Sequence, residues 1–247
     1  MSEFFLELFS EEIPAGLQKN LREKIFEDFK NLFEEKSIRS KKNFSFSTPN
    51  RLVLVFEGLD KQIKIKSKEI RGPKTSAPEQ ALEGFLRSNK INKMDLFKKK
   101  TEKDEFYFYK TVATSLKTHD LLTEFIPKIL SNYQWKKSMK WAEFDLNWGR
   151  PLKSILSIFD KKIVSFKFHH LTSSNLTFVD KDFEEKKRSF ENFKKYEKFF
   201  EANGVIINQN KRLKIINKSF LKILGKKGLK INENPKLMDE VVNLVDS

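Results

Sequence analysis

The order of apolar and polar residues predicts a strand followed by a helix near the start of the chain. Phe4 to Phe9 is a short apolar run broken by Glu7, a pattern that predicts a β-strand. Pro14 suits the first turn of a helix, and beyond it apolar residues recur at every fourth position: Leu17, Leu21, Ile25, Phe29 and Phe33. This spacing forms one apolar stripe and predicts a long amphipathic helix.

The next stretch predicts short strands. Phe44 to Ser47 and Arg51 to Glu57 flank the turn Thr48-Pro49-Asn50. Gln62 to Ile70 alternates Ile with Lys, which predicts one strand with a basic face in water. We expect Gly72-Pro73 to end that strand.

Helices and strands continue to alternate beyond that point. Ser76 is expected to cap a short helix. The later predicted elements are a strand over Phe106 to Val112, a helix that Thr118 caps and that reaches Ile129, and strands over Leu152 to Phe159 and Ile163 to Phe168.

The pattern changes towards the C-terminus, and this change defines the predicted domains. Residues 177–189 are rich in charge with little apolar periodicity, which predicts a linker. Residues 190–247 contain three helical stretches, separated at Asn203-Gly204 and at Asn234-Pro235. We therefore expect an α+β domain over residues 1–176, with a mixed sheet and packed amphipathic helices, followed by a helical C-terminal part.

The balance of charge suggests a polyanionic partner. Lys and Arg outnumber Asp and Glu by 49 to 34, which corresponds to a formal charge of +15 and a pI near 9.7. A surface this positive attracts nucleic acids. The chain is also rich in Lys, Asn, Ile and Phe together, as AT-rich coding would produce without any function. Charge alone therefore leaves nucleic-acid binding open.

Composition also indicates the cellular compartment of the protein. The chain has no Cys, so it has neither disulfides nor thiolate metal sites. Its N-terminal residues include acids where a signal peptide needs bases followed by an apolar run. The apolar runs are far shorter than the roughly 20 residues of a membrane helix. We expect a cytoplasmic protein without membrane contact.

Few residues are candidates for catalysis or metal binding. His169 and His170 would point to opposite faces of a strand, a poor arrangement for a metal pair. No Gly-rich phosphate-binding or dinucleotide-binding loop fits the sequence. Glu11 and Glu12 precede a predicted helix, where carboxylates more often stabilise the helix dipole than perform acid–base chemistry. We expect no catalytic residue, no metal site and no cofactor bound by this chain.

Two groups of basic residues are candidates for RNA binding. They are Lys64, Lys66, Lys68, Arg71 and Lys74 in the first group, and Lys137, Lys140 and Arg150 in the second. The second group alternates with Trp135, Trp141 and Trp148, and cations beside large aromatic rings bind phosphates and unpaired bases. The alternative is that the Trp residues anchor the core beside solvated Lys neighbours. In that interpretation Met139 and Trp141 anchor a structural turn.

An ordered series of short motifs runs along nearly the whole chain. It includes Glu11-Glu12-Ile13-Pro14, Thr48-Pro49-Asn50-Arg51-Leu52, Gly72-Pro73, Lys137-Ser138-Met139-Lys140-Trp141 and Arg150-Pro151-Leu152. Taken in this order, the motifs resemble the β subunit of the tetrameric bacterial glycyl-tRNA synthetases. The residues that carry the resemblance are Glu11, Glu12, Pro14, Pro49, Arg51, Gly72, Pro73, Met139, Trp141 and Pro151, and Arg212 continues it.

The sequence departs from that family at several points. Phe178-Val179-Asp180 stands where the family has Gly-His-Arg-Phe, Ser154 where it has Trp, and Asn50 where it has Arg. Family members are also much longer, with an HD-like domain and a C-terminal anticodon-binding region. We therefore expect the last domain to be incomplete at its C-terminal end, as in a fragment, a truncated gene product or a reduced relative.

The resemblance implies a division of labour between two kinds of chain. In such enzymes the α subunit resembles class II synthetases and uses glycine and ATP with Mg, whereas the β subunit binds tRNA. The resemblance thus implies a tetramer of two α and two β subunits that attaches glycine to tRNA(Gly), with the catalytic site in α. It also implies that this region is similar in fold to an editing-like module of phenylalanyl-tRNA synthetase.

Two other functions remain open at this stage. A small basic non-catalytic RNA-binding protein would need only the charge and the aromatic residues. An assembly factor would contact only the α subunit.

Overall fold

The chain forms two compact units, as described by a computed structural model. The structure describes residues 2–65, 67–101, 104–135, 137–179, 186–228, 232 and 234–246. Unit 1 combines Met1–Lys61 with Lys117–Ser247, and unit 2 is Gln62–Leu116. The predicted boundaries at residues 176 and 190 do not coincide with this division, because the C-terminal helices share unit 1 with the main sheet.

The predicted fold class, α+β with a helical C-terminal part, is confirmed. The helices described are α1 (Ala15–Glu35), α2 (Glu79–Asn89), α3 (Thr118–Asn132), α4 (Phe193–Ala202), α5 (Gln209–Lys227) and α6 (Pro235–Leu244). The strands are β1 (Glu3–Ser10), β2 (Lys42–Thr48), β3 (Arg51–Glu57), β4 (Gln62–Ile65), β5 (Glu69–Lys74), β6 (Leu96–Lys100), β7 (Glu105–Lys110), β8 (Thr114–Lys117), β9 (Leu152–Phe159), β10 (Lys162–Ile163), β11 (Lys167–Phe168), β12 (Leu171–Thr172), β13 (Leu176–Phe178) and β14 (Lys187–Ser189).

The main sheet of unit 1 has five strands in the order β10-β9-β1-β3-β2. The central strand is β1, in which Phe5 lies opposite Val55 of β3 and Ile158 of β9. The sequence predicts a mixed sheet, but the described ladders of this sheet are antiparallel, as short connections such as the turn between β2 and β3 require. Parallel pairing occurs as an isolated bridge between Leu156 and Ser174.

Helices cover both faces of β1. On one face Phe4 packs against Phe29 and Phe33 of α1, with ring centroids 5.5 and 6.4 Å apart. On the other face Phe5 packs against Phe193 and Tyr196 of α4, at 5.7 and 5.0 Å. The core therefore has three layers, with the sheet between helices. This explains why β1 is apolar on both sides apart from its acidic residues.

One acidic residue of the central strand, Glu7, is fully buried at 0% exposure. Arg51 of β3 is also buried, and its Nη1 donates to Glu7 Oε1 at 2.6 Å. The same guanidinium donates to Thr177 Oγ1 at 3.1 Å and to the Phe178 carbonyl at 2.6 Å. Arginine suits this position because its planar guanidinium can donate hydrogen bonds to several acceptors at the same time.

Tyr196 of α4 completes this group of side chains. It is fully buried, and its hydroxyl donates to Glu7 Oε1 at 2.5 Å. Burial and the Glu7 carboxylate raise the pKa of Tyr196 well above its ordinary value, against the opposing effect of Arg51. Burial is the largest single effect on the pKa of Arg51 and lowers it, but Glu7 and Tyr196 together outweigh burial, so the pKa is raised. We call Glu7, Arg51 and Tyr196 the buried charge cluster.

The start of α4 is fixed to the same central strand. The backbone amide of Phe193 donates to Glu3 Oε1 at 2.8 Å, so the carboxylate lies at the positive end of the helix dipole. Asn192 caps the helix by accepting from the amide of Lys195 at 2.9 Å. Burial raises the pKa of Glu3. Glu3 and the buried charge cluster thus attach α4 to β1 at two points.

Arg212 attaches the last two helices to the sheet. It is 1% exposed, and its Nη2 donates to the Ser47 carbonyl at the end of β2 at 2.7 Å. Nη1 donates to the carbonyls of Ile206 and Ile207, and Nε to that of Val242 in α6 at 3.1 Å. Burial lowers the pKa of Arg212 to about 10, so the guanidinium remains charged at neutral pH. This residue explains why the C-terminal helices belong to unit 1.

Two predicted features of unit 2 are wrong. The predicted strand Gln62 to Ile70 is two strands, of which β4 pairs with β8 and β5 with β7. Gly72-Pro73 does not end a strand but lies inside β5, where the register against β7 shifts between Arg71 and Lys74. Because Pro73 has no N–H to donate, the ladder is interrupted there, and the strand bulges and continues.

Two predicted helix caps are also wrong. Pro78 rather than Ser76 occupies the N-cap position of α2. Proline is tolerated at the start of a helix because the backbone N–H that it lacks would have no partner within the helix there. Lys117 rather than Thr118 precedes α3. The Thr118 hydroxyl instead donates to the carbonyl of Asp60 at 2.5 Å, which anchors the start of that helix.

Two more segments of unit 1 differ from their predictions. The predicted strand Ile163 to Phe168 is two short strands, β10 and β11, which pair with β9 and β12. Val164 lies between these two strands, and its carbonyl accepts a hydrogen bond from Ser173 Oγ at 2.8 Å instead of a backbone bond from a neighbouring strand. In the predicted linker, β13 pairs with β14, while residues 180–185 lie outside the described part of the chain.

The buried charge cluster generates a stability prediction. Arg51→Met should lower the free energy of unfolding by about 3–5 kcal/mol, because it leaves the buried Glu7 carboxylate without its counter-charge. The double variant Glu7→Leu/Arg51→Met leaves no unpaired charge and should be more stable than Arg51→Met alone. Urea unfolding of the wild type, both single variants and the double variant measures this coupling. If the double variant lost as much unfolding free energy as the two single variants lose in sum, the pair would not be cooperative.

Candidate functional site

An open cleft in unit 1 collects residues from motifs that lie far apart in the sequence. Its volume is about 660 Å³. The residues that line it are Glu11, Glu12, Ile13, Pro14, Ala15, Pro49, Asn50, Arg150, Lys153, Asn243 and Leu244. We call it the motif cleft, because the end of β1, the turn between β2 and β3, and the segment before β9 all meet there.

Backbone hydrogen bonds hold these motif segments together. The amide of Ile13 donates to the Pro49 carbonyl at 2.7 Å, and the amide of Glu11 donates to the Pro151 carbonyl at 3.0 Å. Each proline has a fixed φ and no N–H to donate, which reduces the number of conformations open to the segment that carries the accepting carbonyl. The prolines of the motifs therefore shape the cleft through the backbone.

The side chains of the motif cleft carry both signs of charge. Glu11 Oε1 lies 3.1 Å from Lys153 Nζ, and Arg150 Nε donates to the Glu12 carbonyl at 3.0 Å. The first turn of α1 contains no acidic residue, so the predicted role of Glu11 and Glu12 in the helix dipole is not what the geometry favours. These charges are spread along an open surface, an arrangement suited to a polar partner.

Other motif residues serve the fold. Arg51 lies in the buried charge cluster. Gly72 lies in unit 2, where a Cβ atom would come within 3.0 Å of the Phe85 ring and 3.1 Å of the Tyr107 carbonyl. Its neighbour Pro73 lies at the bulge of β5. At these positions the motif reflects packing and backbone geometry.

The Trp-containing segment forms a packed turn. The backbone of Met139 pairs with that of Trp148, which is 2% exposed. Trp135 packs edge-on against Trp148 at 4.9 Å. Trp141 is half-buried and contacts Phe144 with ring centroids 5.0 Å apart. The Met139 side chain itself is 39% exposed, so Met139 anchors the turn through its backbone.

The structure places the predicted RNA-binding cations in both units. In unit 2 the exposed members are Lys64, Lys68, Arg71 and Lys74, and Lys66 lies outside the described residues. In unit 1 Lys137 and Lys140 are exposed, and Arg150 is half-buried in the motif cleft.

His169 and His170 lie in a turn rather than on a strand. His169 has φ +50° in the turn between β11 and β12, and His170 stacks on Phe144 with ring centroids 3.8 Å apart. Burial and the adjacent His169 lower the pKa of His170. Among the residues that the structure describes, no group of three His, Asp or Glu side chains is placed to hold a metal ion.

Sequence reasoning missed three residues that matter to this geometry. Glu7 and Tyr196 belong to the buried charge cluster, and Lys153 pairs with Glu11 in the motif cleft. A signal was present for Glu7, because it is a lone carboxylate amid the apolar residues of a predicted strand. Tyr196 and Lys153 carried no comparable signal, since similar residues are frequent around them.

Comparison with known proteins supports a single assignment. The family model described as the glycyl-tRNA synthetase beta subunit matches residues 4–247. The chain is 36% identical over 246 residues to the glycine–tRNA ligase beta subunit of Rickettsia canadensis (strain McKiel). It is 38% identical over 244 residues to that of Rickettsia bellii (strain OSU 85-389). These alignments cover 100% and 99% of this chain but 37% of each relative, so the chain spans little more than a third of their length.

These matches define the chain as a region of an aminoacyl-tRNA synthetase subunit. Within that class, the chain belongs to the glycyl-tRNA synthetase beta subunit family. The predicted resemblance to this family is thereby confirmed.

The two Trp residues of the packed turn generate a second stability prediction. Trp148→Ala should lower the free energy of unfolding by about 3–5 kcal/mol, as expected for a fully buried aromatic ring. Trp141→Ala should cost clearly less, because this ring is only half-buried. Thermal and urea unfolding compare the two variants. The structural interpretation of Trp141 would be wrong if its variant kept full stability but lost RNA binding.

Proposed function

We propose that this chain is the tRNA-binding and assembly region of a glycyl-tRNA synthetase beta subunit. In this proposal it supports the ATP-dependent attachment of glycine to tRNA(Gly) in the cytoplasm. The observation that carries the proposal is the family match over residues 4–247, which includes every residue that lines the motif cleft.

The proposed tRNA contact is electrostatic in origin. The chain has 49 basic against 34 acidic residues, and the exposed cations of unit 2 include Lys64, Lys68, Arg71 and Lys74. Side chains of this kind bind phosphates without reading bases, and they release counterions from the RNA. We therefore assign Lys64 and Lys68, whose side chains are exposed, to general phosphate contacts.

The catalytic chemistry is assigned to the α subunit. Adenylate formation requires ATP and a carboxylate in line, with cations on the developing phosphate charge. The charges of the motif cleft are instead spread over an open surface and alternate in sign. We propose that ATP, with Mg, is used by α, and that the working enzyme is a tetramer of two α and two β subunits.

The alternative, a small basic non-catalytic RNA-binding protein, has less support. Charge and aromatic residues alone would not produce a match to a synthetase subunit along almost the entire chain.

In the described residues no helix is both long and apolar enough to cross a lipid bilayer.

Glycine-dependent exchange of pyrophosphate into ATP tests this division of labour. The purified chain alone should give background exchange, because it brings no preorganised cations to the reacting phosphates. The addition of the α subunit should produce exchange. In an electrophoretic mobility-shift assay, tRNA(Gly) should shift when this chain is present. The α subunit alone is the control. Robust exchange by this chain without α would contradict the proposal, as would failure to bind either α or tRNA.

A further inference from the structure

Unit 2 presents a sheet face on which aromatic rings and cations alternate. The sheet has the strand order β5-β7-β6. The side chains of this aromatic–basic face are Arg71 and Lys74 of β5, Phe106 and Phe108 of β7, and Phe97 and Lys99 of β6. Neither the motifs nor the family match singles out this set, apart from the two cations of β5.

Strand register places these side chains on one face. Phe108 lies directly opposite Phe97 on one side and Arg71 on the other. Phe106, two residues away on the same strand, lies opposite Lys99. Residues opposite each other in an antiparallel pair share a face, and so do residues two apart in one strand.

The contacts confirm the arrangement and show how the rings are held. The rings of Phe97 and Phe108 are stacked, with centroids 5.9 Å apart and an interplanar angle of 27°. The Arg71 guanidinium lies 3.6 Å from the centroid of Phe106, and Lys99 Nζ lies 5.6 Å from that of Phe108. Phe97 is 37% exposed, a large fraction for a phenylalanine in a small sheet.

The charge of unit 2 is complementary to a polyanion. Residues 62–116 contain thirteen Lys and Arg against seven Asp and Glu. Lys99 pairs with Glu69 at 2.9 Å, and Lys74 pairs with Asp104 at 2.6 Å. Both pairs are exposed and contribute little to stability, so a phosphate can replace the carboxylate at small cost.

We infer that the aromatic–basic face binds unpaired nucleotides of RNA. Bases stack on Phe97 and Phe108, while Arg71 and Lys99 contact the adjoining phosphates. Stacking on an aromatic side chain needs a base whose face is free, which a duplex does not provide and the loops and ends of a tRNA do. The excess of one sign of charge favours RNA over a protein segment. This inference rests on the proposed function and adds a mode of recognition to it.

RNA-binding measurements with two matched variants test the inference. The probes are a short unpaired RNA oligonucleotide, a blunt RNA duplex and tRNA(Gly), each titrated with the purified chain at several salt concentrations. Phe97→Leu/Phe108→Leu should weaken binding of the unpaired RNA by about 5-fold or more for each base that stacks. It should leave the duplex and the salt slope unchanged, because leucine keeps the apolar bulk and no cation is removed.

Lys64→Gln/Lys68→Gln is the electrostatic control. It should weaken all three RNAs alike and reduce the salt slope by about 0.7 to 0.9 per lost contact. The single variant Phe97→Leu repeats the test at the more exposed ring, in case the double variant unfolds.

Each outcome separates the inference from the proposed function. If the wild type binds tRNA but both Phe variants bind the unpaired RNA as well as it does, the inference fails and the function stands. An equal loss for duplex and unpaired RNA would also overturn stacking. If the wild type binds none of the RNAs, both the inference and the tRNA role fail. Loss of α-subunit binding in place of RNA binding would identify the face as a protein interface.

Discussion

A carboxylate in the middle strand of a sheet that is covered on both sides cannot reach water, so the fold depends on what neutralises it. Glu7 is that carboxylate, and Arg51 and Tyr196 are its partners. Arg51 also donates to Thr177 Oγ1 and to the Phe178 carbonyl, which lie in β13 of the hairpin formed by β13 and β14. One ion pair therefore connects the centre of the sheet with that hairpin and with α4. A shift of β1 against β3 would separate the two charges in the core, and a shift of α4 or of the hairpin would remove a hydrogen bond to one of them.

The motif residues divide into two physical classes. Arg51, Gly72 and Trp141 fix the fold, through an ion pair, a close approach and ring packing. Glu11 and Arg150 face an open cleft in which segments distant in sequence meet. A family resemblance that rests on such motifs therefore indicates mainly a shared fold, and only some of the motif residues lie on an open surface. The aromatic–basic face of unit 2 lies almost entirely outside the motifs, although it is the surface that we propose to bind RNA.

Much of the fold was predictable from sequence, where a local pattern was sufficient. The stripe from Leu21 to Phe33 identified α1, and the two-residue turn at Pro49 identified the hairpin of β2 and β3. The predictions failed where distant partners decide the structure. Gly72-Pro73 resembles a strand end, yet β7 provides a ladder that continues past the bulge. The burial of Glu7 depends on Arg51, a residue 44 positions away. The motif cleft was predictable only as separate motifs, since their meeting point is a property of the folded sheet.

The central claim is that the buried charge cluster makes the sheet and α4 one cooperative unit. Native-state hydrogen exchange tests it directly, because the opening free energy of each amide shows which elements unfold together. The amides of Leu6 in β1, Val53 in β3 and Phe200 in α4 should exchange through the same opening, with equal free energies close to that of global unfolding. If Phe200 exchanged through an opening of much lower free energy while Leu6 and Val53 stayed protected, α4 would be a separate element and the account would be contradicted.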